Sequence, residues 1–336
     1  MEYLLGKTAK EDIINSYGVT VVPAMTVITE HSLRLMAKHK IDPAAVLILL
    51  KDTAVAEEPL VDSVMKCVED FKSVFETTAV LGKIPLIEIR QNVVPVITEI
   101  GVNHNVFELF EAVRAKDEYT HVHNVGVSVL STLIGKWIKL PPNQLASLSL
   151  AALLHDVGKI KIPSELLLKP GKLTDEEYAL IKKHTIYGYE LLRATPGISA
   201  KIARVALQHH EREDGGGYPL GLKKENIDLF SSIVAVADIF HAMSSCRPYH
   251  EPLSFHEIIS QMRDGKFGKL NPYIVSVFIE NTMNRLIGQR VVLTDGREGE
   301  VVYLNPHRME RPLIKLQDDF LDLSKETGVH IKAILT

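Results

Sequence analysis

The chain has 336 residues, 46% apolar and 24% charged, enough for two or more globular domains of ordinary soluble composition. Its formal net charge of −4 supplies no broad basic field, which excludes polymeric DNA or RNA as the expected partner and leaves room for a small phosphate-bearing ligand. Two cysteines, Cys67 and Cys246, are too few for a disulfide framework and too isolated for a zinc–thiolate site, a usage that suits a cytoplasmic location.

In chain order, the start MEYLLGKTAKED is charged and lacks the apolar core of a secretory signal. Residues 1–52 read as a small α+β module: the β-branched run Val19–Val22 is a strand, SLRLMAKHK (32–40) a short helix, and Ala44–Leu50 a buried strand, too short to cross a bilayer. No membrane association is expected. Residues 53–112 turn to helical spacing, with Leu60, Val61, Val64, Met65, Val68, Phe71, Val74 and Phe75 forming one apolar stripe. A second helical stretch follows the Gly82–Pro85 break, and Pro95 is expected to kink it. Residues 113–286 are a run of helices. From 287 to 336 the texture becomes a small β module, with strands over Arg290–Thr294, Gly299–Leu304, Leu313–Leu316 and His330–Leu335. The expected fold class is mainly α, a helical catalytic domain flanked by an N-terminal α+β module and a C-terminal β module.

The suggestive side chains fall in the helical run. AALLHDVGK (151–159) ends an apolar helix in adjacent His155 and Asp156, which point about 100° apart on a helix. One can ligate a metal while the carboxylate, with two oxygens, spans two cations. HHEREDGGGYP (209–219) places paired histidines before a glycine run that allows positive φ and close backbone approach. His123, His184 and Asp238 are further candidates; Asp238 follows an apolar run, and its burial without a partner would be costly. Each of these residues taken singly is more often structural than a ligand.

Together they carry a resemblance. YTHVH (119–123), HDVGK (155–159), LLKPGKLTDEE (167–177), His184 with Gly188, HHEREDGGGYP (209–219), Ala237-Asp238 and SCRPY (245–249) occur in the order and spacing of the HD-GYP domain, a subgroup of the HD phosphohydrolases. The resemblance covers about half the chain. It implies hydrolysis of cyclic di-GMP to linear pGpG, with the second cut to GMP left open, at a centre of divalent metal ions, iron or manganese. Carried over by position, the ligands are His123, His155, Asp156, His184, His209, His210 and Asp238, with Asp156 bridging. Lys159, Tyr218 and Arg247 match positions that contact substrate, Lys159 and Arg247 through phosphate, and Asp156 and Lys159 are the residues expected to act in catalysis. His121 is expected on the helix surface.

Some family members place a Glu one helical turn before the first His to support a third metal; Tyr119 stands there in this chain, so two metals are expected. His241 and His250 replace an Asp and a basic residue of the family pattern. The resemblance also implies docking of diguanylate cyclase (GGDEF) proteins on the GYP loop, where Glu211, Arg212, Glu213 and Asp214 supply polarity, and it leaves room for a homodimer. The alternatives are a cyclic di-GMP receptor of weak activity, or an HD hydrolase of another cyclic dinucleotide.

Overall fold

The computed structural model describes residues 4–5, 7, 9, 13–15, 20–22, 28–41, 46, 60–104, 106–113, 119–169, 171–244, 253–266, 268–305, 308–317, 319–326 and 328–335. The expected strand over 44–50 lies outside them except for Val46, as do Cys246, Arg247 and His250. The chain divides into two compact units, Met1–Pro59 and Leu60–Thr336.

In the first unit β1 (Ile13–Ile14) pairs antiparallel with β2 (Thr20–Val22), and α1 (Glu30–Lys38) follows. Thr29 and Ser32 cap α1 reciprocally, each hydroxyl accepting the other's backbone N–H. Leu4, Ile13, Val22, Ile28 and Met36 form this unit's own core.

The second unit opens with α2 (Leu60–Leu81), which buries Val64, Cys67, Val68, Phe71 and Val74 at three- and four-residue steps; Val61, expected in that stripe, is exposed. Burial pushes the Cys67 thiol up to about 12, so it behaves as a small apolar side chain. After Gly82 the chain forms a short helix Leu86–Glu88, a π-helical turn Ile89–Val93, and α3 (Val94–Asn103). Pro95 explains the irregularity: it has no N–H to give to the preceding turn, so the regular helix restarts around it.

Next come α4 (Val106–Val113), α5 (Tyr119–Trp137), α6 (Pro142–Leu153), a 3₁₀ turn Val157–Lys161, α7 (Asp175–Lys182), α8 (His184–Ala194), α9 (Ala200–Gln208) and α10 (Leu229–Ser244). Helices α5 and α10 are buried nearly all round, as the centre of a helical body requires. Then α11 (Phe255–Arg263) and α12 (Pro272–Asn284) lead into an antiparallel sheet of order β6-β5-β4-β3-β7, built from β3 (Arg290–Leu293), β4 (Glu298–Asn305), β5 (Arg308–Lys315), β6 (Phe320–Asp322) and β7 (Ile331–Leu335). The sheet contains one strand, β6, beyond those expected, and β5 begins ahead of Pro312. That proline cannot donate to the ladder, but its carbonyl accepts from Leu323 N–H. Val291, Val301, Ile314 and Ile331 join the sheet to the helical core. The architecture is mainly α with a small C-terminal sheet. Among the described residues, no helix is long and apolar enough to cross a membrane.

Candidate metal centre

Five helices and two turns deliver the candidate ligands to one place. His123 comes from the first turns of α5, His155 and Asp156 from the end of α6, His184 from the start of α8, His209 and His210 from the end of α9, and Asp238 from the middle of α10. The approach of α6 to α8 depends on glycine: a Cβ on Gly158 would lie 1.9 Å from the His184 carbonyl oxygen and 2.4 Å from the Gly188 amide. Gly158 lets the turn after Asp156 lie directly on α8, which brings His155 and Asp156 beside His184.

The side chains fall into two sets, Asp156 with His184, His209 and His210, and His123 with His155 and Asp238, in each of which the ligand atoms lie within 4.8 Å of one another. Asp156 faces both. Its Oδ1 is 3.2 Å from His184 Nε2 and 3.7 Å from His209 Nε2, and its Oδ2 is 3.4 Å from His155 Nε2 and 3.9 Å from His123 Nε2. Asp238 Oδ1 is 3.1 Å from His123 Nε2, and Oδ2 is 3.9 Å from His210 Nδ1.

Three imidazoles are held from behind by backbone carbonyls. His155 Nδ1 donates to Ala152 O (2.7 Å), His184 Nδ1 to Ile181 O (2.7 Å) and His209 Nδ1 to Val205 O (3.1 Å). A carbonyl only accepts, so Nδ1 carries the proton and the lone pair of Nε2 points into the cluster, the tautomer a metal ligand needs. His123 instead meets the ring of His241, Nδ1 to Nδ1 at 3.1 Å. His241 reaches there because position 126 is glycine; a Cβ would sit 2.1 Å from its Nε2.

The electrostatics call for cations. Burial alone would raise both carboxylates, yet Lys159 and His155 hold Asp156, and His123 holds Asp238, well below the usual carboxylate range. Burial keeps His123, His209 and His210 neutral, lowering each below its ordinary value. His155 goes the other way: burial lowers it, but the negative charge of Asp156, with Oδ2 3.4 Å from Nε2, more than offsets that. The field at His155 therefore favours positive charge. His155 Nε2 and Asp156 Oδ1 are buried and satisfy no hydrogen bond, an expensive arrangement for polar atoms that a shared cation removes. The residues present thus fit divalent metal ions, with nitrogen and oxygen donors of the kind that borderline transition metals take.

Around this cluster, Lys159 Nζ pairs with Asp156 Oδ2 while its side chain stays 23% exposed, so the ammonium lies between the cluster and solvent. Tyr218 stacks on His210 with ring centroids 4.6 Å apart and planes at 29°. Burial pushes the Tyr218 phenol upward, so it stays protonated. Its loop is shaped from inside. Glu211, only 3% exposed, accepts the amides of Leu220 (2.7 Å) and Leu222 (2.8 Å), and a Cβ on Gly217 would strike the backbone of His210–Arg212. Glu213 accepts from Asn271 Nδ2 at the start of α12 (2.8 Å). Two of the four residues expected to make the loop a polar docking surface are thus spent holding its shape.

Nothing in the motifs marked Glu211 as a pin. Also unforeseen was His121, which is half-buried with its ring edge-on to Phe71 and Phe75 at 6.1 and 5.1 Å. Arg247 lies outside the described residues, and of Tyr119 only the backbone, the first residue of α5, is described.

A family model described as an HD domain matches residues 107–272. Over 210 residues the chain is 37% identical to a cyclic di-GMP phosphodiesterase of Pseudomonas aeruginosa, covering 62% of this chain and 50% of that protein. Over 171 residues it is 37% identical to a 3′3′-cGAMP-specific phosphodiesterase of Vibrio cholerae, covering 51% and 39%. The chain thus spans half or less of the length of these relatives. Among solved structures, an HDG"Y"P protein of Bdellovibrio bacteriovorus shares the fold, with a TM-score of 0.55 at 17% identity over 82% of this chain and 96% of that one.

Proposed function

Because this chain belongs to the HD domain family, we propose that it is a metal-dependent phosphodiesterase that cleaves cyclic di-GMP to linear pGpG. The observation that carries the proposal is the carboxylate of Asp156, whose two oxygens face two different sets of imidazoles, as a carboxylate bridging two ions must. His123, His155 and Asp238 would hold one ion and His184, His209 and His210 the other, with Asp156 shared. When bound, two such ions, iron or manganese by the resemblance, supply Lewis-acid activation of water and of the phosphoryl group.

The chain's own residues do the rest. Carbonyl-anchored imidazoles keep the donor atoms aimed without reorganisation. Lys159, at the exposed edge of Asp156, is placed to pair with a non-bridging phosphate oxygen and to offset charge that grows there during in-line displacement. Tyr218, a phenol that stays protonated beside His210, can donate a hydrogen bond to the substrate. Arg247 is assigned a phosphate by the resemblance alone.

In the same proposal, residues 113–286 are the catalytic domain, 53–112 a helical connector, and 1–52 and 287–336 accompanying modules of a cytoplasmic signalling protein that admits a homodimer. Docking of a diguanylate cyclase on the GYP loop would have to use its exposed tip, Asp214 and Leu220. The deciding experiment is metal analysis of anaerobically purified protein paired with cyclic di-GMP turnover. About two ions per chain with turnover is the expected result. Metal-free protein that binds cyclic di-GMP without cleaving it would overturn the reading in favour of a receptor.

A further inference from the structure

Helix α7 carries none of the candidate ligands, yet it turns two side chains towards the GYP loop. Its start is fixed by a capping box between Thr174 and Glu177, and the Glu177 carboxylate also binds Lys169 Nζ at 2.6 and 2.7 Å. Directly after Glu177, Tyr178 sets its ring 6.3 Å from that of Tyr218 at 78°, forming an aromatic corner. Lys182, at i+4 from Tyr178, places Nζ in that corner, 5.0 Å from the Tyr178 centroid and 5.8 Å from that of Tyr218. Tyr218 in turn stacks on His210, so the aromatic steps lead outward from the cluster: His210, Tyr218, then Tyr178, which is 47% exposed.

An exposed tyrosine on a solvated helix ordinarily needs no explanation. Tyr178 differs in facing the ring beside a candidate ligand and in bearing a cation from its own helix over that corner. We propose that Tyr178 and Lys182 form a base-reading platform at the mouth of the centre: a purine of the dinucleotide stacks on Tyr178, and Lys182 reads its edge. Every base has a π face, so stacking supplies affinity with little selectivity. The selectivity comes from Lys182. An ammonium only donates, and guanine presents two acceptors, O6 and N7, where adenine presents N7 beside the N6 amine, itself a donor. The platform therefore favours guanine.

This inference rests on the phosphodiesterase reading and deepens it, from a cyclic dinucleotide to one with guanine at the platform. The test uses the full-length, metal-loaded protein with three substrates: cyclic di-GMP, cyclic di-AMP and bis(p-nitrophenyl) phosphate, a diester with no purine. Tyr178→Ala is expected to raise KM for cyclic di-GMP roughly tenfold or more, Tyr178→Phe to leave it near wild type, and neither to alter hydrolysis of the chromogenic diester. Lys182→Met is expected to lower the preference for cyclic di-GMP over cyclic di-AMP by roughly tenfold. An unchanged KM in Tyr178→Ala, or an equal loss on all three substrates, would overturn the platform. If wild type cleaved none of the three, the phosphodiesterase reading would fall, and calorimetric binding of cyclic di-GMP would still judge the platform. Weaker binding by Tyr178→Ala would support it, and equal binding would sink it.

Discussion

Two groups of packed histidines in this molecule differ in what they face. In the cluster between α5 and α10, imidazoles are tied at Nδ1 and turn Nε2 towards carboxylates. At the junction of α11 with the sheet, His256 and His330 lie flat on one another, with centroids 4.4 Å apart and planes at 13°, and His256 Nδ1 is bound to Glu310 O at 3.1 Å. Among the described residues no carboxylate makes an ion pair with either ring of that second pair, and the nearby Glu310 carboxylate is engaged by Arg263 at 2.6 Å. The difference teaches that a histidine becomes a candidate ligand through the direction of its second nitrogen and the charge it meets there, and packing against another imidazole does not by itself make one.

The sharpest break of that comparison is at Asp156. Asp156→Ala removes the carboxylate that lies within 4 Å of two imidazoles from each set, so both ions and turnover should be lost together. Metal analysis beside a cyclic di-GMP assay checks this, and a variant that kept two ions and normal turnover would refute the bridging role. A smaller effect is expected behind His123. The His241 ring stands 3.1 Å from His123 Nδ1, where His155, His184 and His209 each meet a backbone carbonyl. His241→Leu should weaken metal binding by about 10–100-fold, as loss of a partner behind a ligand does, and His241→Asp, which restores an acceptor, should recover most of it. Titration of metal-stripped protein with manganese reads both.

These side chains explain what was legible beforehand. His123, His155, Asp156, His184, His209, His210 and Asp238 could be gathered from the sequence because their types are chemically marked and their motifs fall in a family order. The helices were equally plain where an apolar stripe repeats, as in α2. What stayed hidden depends on partners distant in the chain. Glu211 looks like any charged loop residue until the amides of Leu220 and Leu222 close on it. Tyr178 and Lys182 read as a solvated helix face until Tyr218 arrives from far along the chain. Strand β6, three residues long, carries too short a pattern to register.

The next break lies in the backbone that lets the two sets meet. Gly158→Ala puts a methyl group where the His184 carbonyl oxygen is 1.9 Å away. No rotamer relieves that contact, so the turn must move off α8, at a cost of about 1–3 kcal/mol for overpacking. A lower melting temperature in the metal-free protein, with weaker metal binding besides, is the expected outcome. Unchanged melting would show that the turn relaxes freely and that Gly158 does not set the distance between Asp156 and His184. Gly171→Ala is the contrasting case, since a Cβ there meets nothing within 4 Å and any cost comes from its φ of +98°.

The smallest effect tests the other side of the comparison, the stacked pair. Burial lowers His256 first, and repulsion from His330 and Arg311 adds to it; the backbone and side chain of Glu310 pull the other way and do not prevail. The folded value therefore lies below the ordinary one near 6.5. Well above that pH both folded and unfolded chains carry a neutral imidazole at position 256, which contributes nothing to pH dependence. As pH falls through about 6.5 the unfolded chain takes up a proton that the folded chain refuses, so stability falls with acid, by at most about 1.4 kcal/mol per pH unit and less here because His256 is only half-buried. The cluster imidazoles His123, His209 and His210 are lowered too and act in the same direction, so the pair must be read as a difference. His256→Phe keeps a flat ring against His330 and removes the titration. Between pH 7.5 and 5.5 its melting temperature should fall less than that of wild type, whereas equal falls would assign the whole acid sensitivity to the cluster.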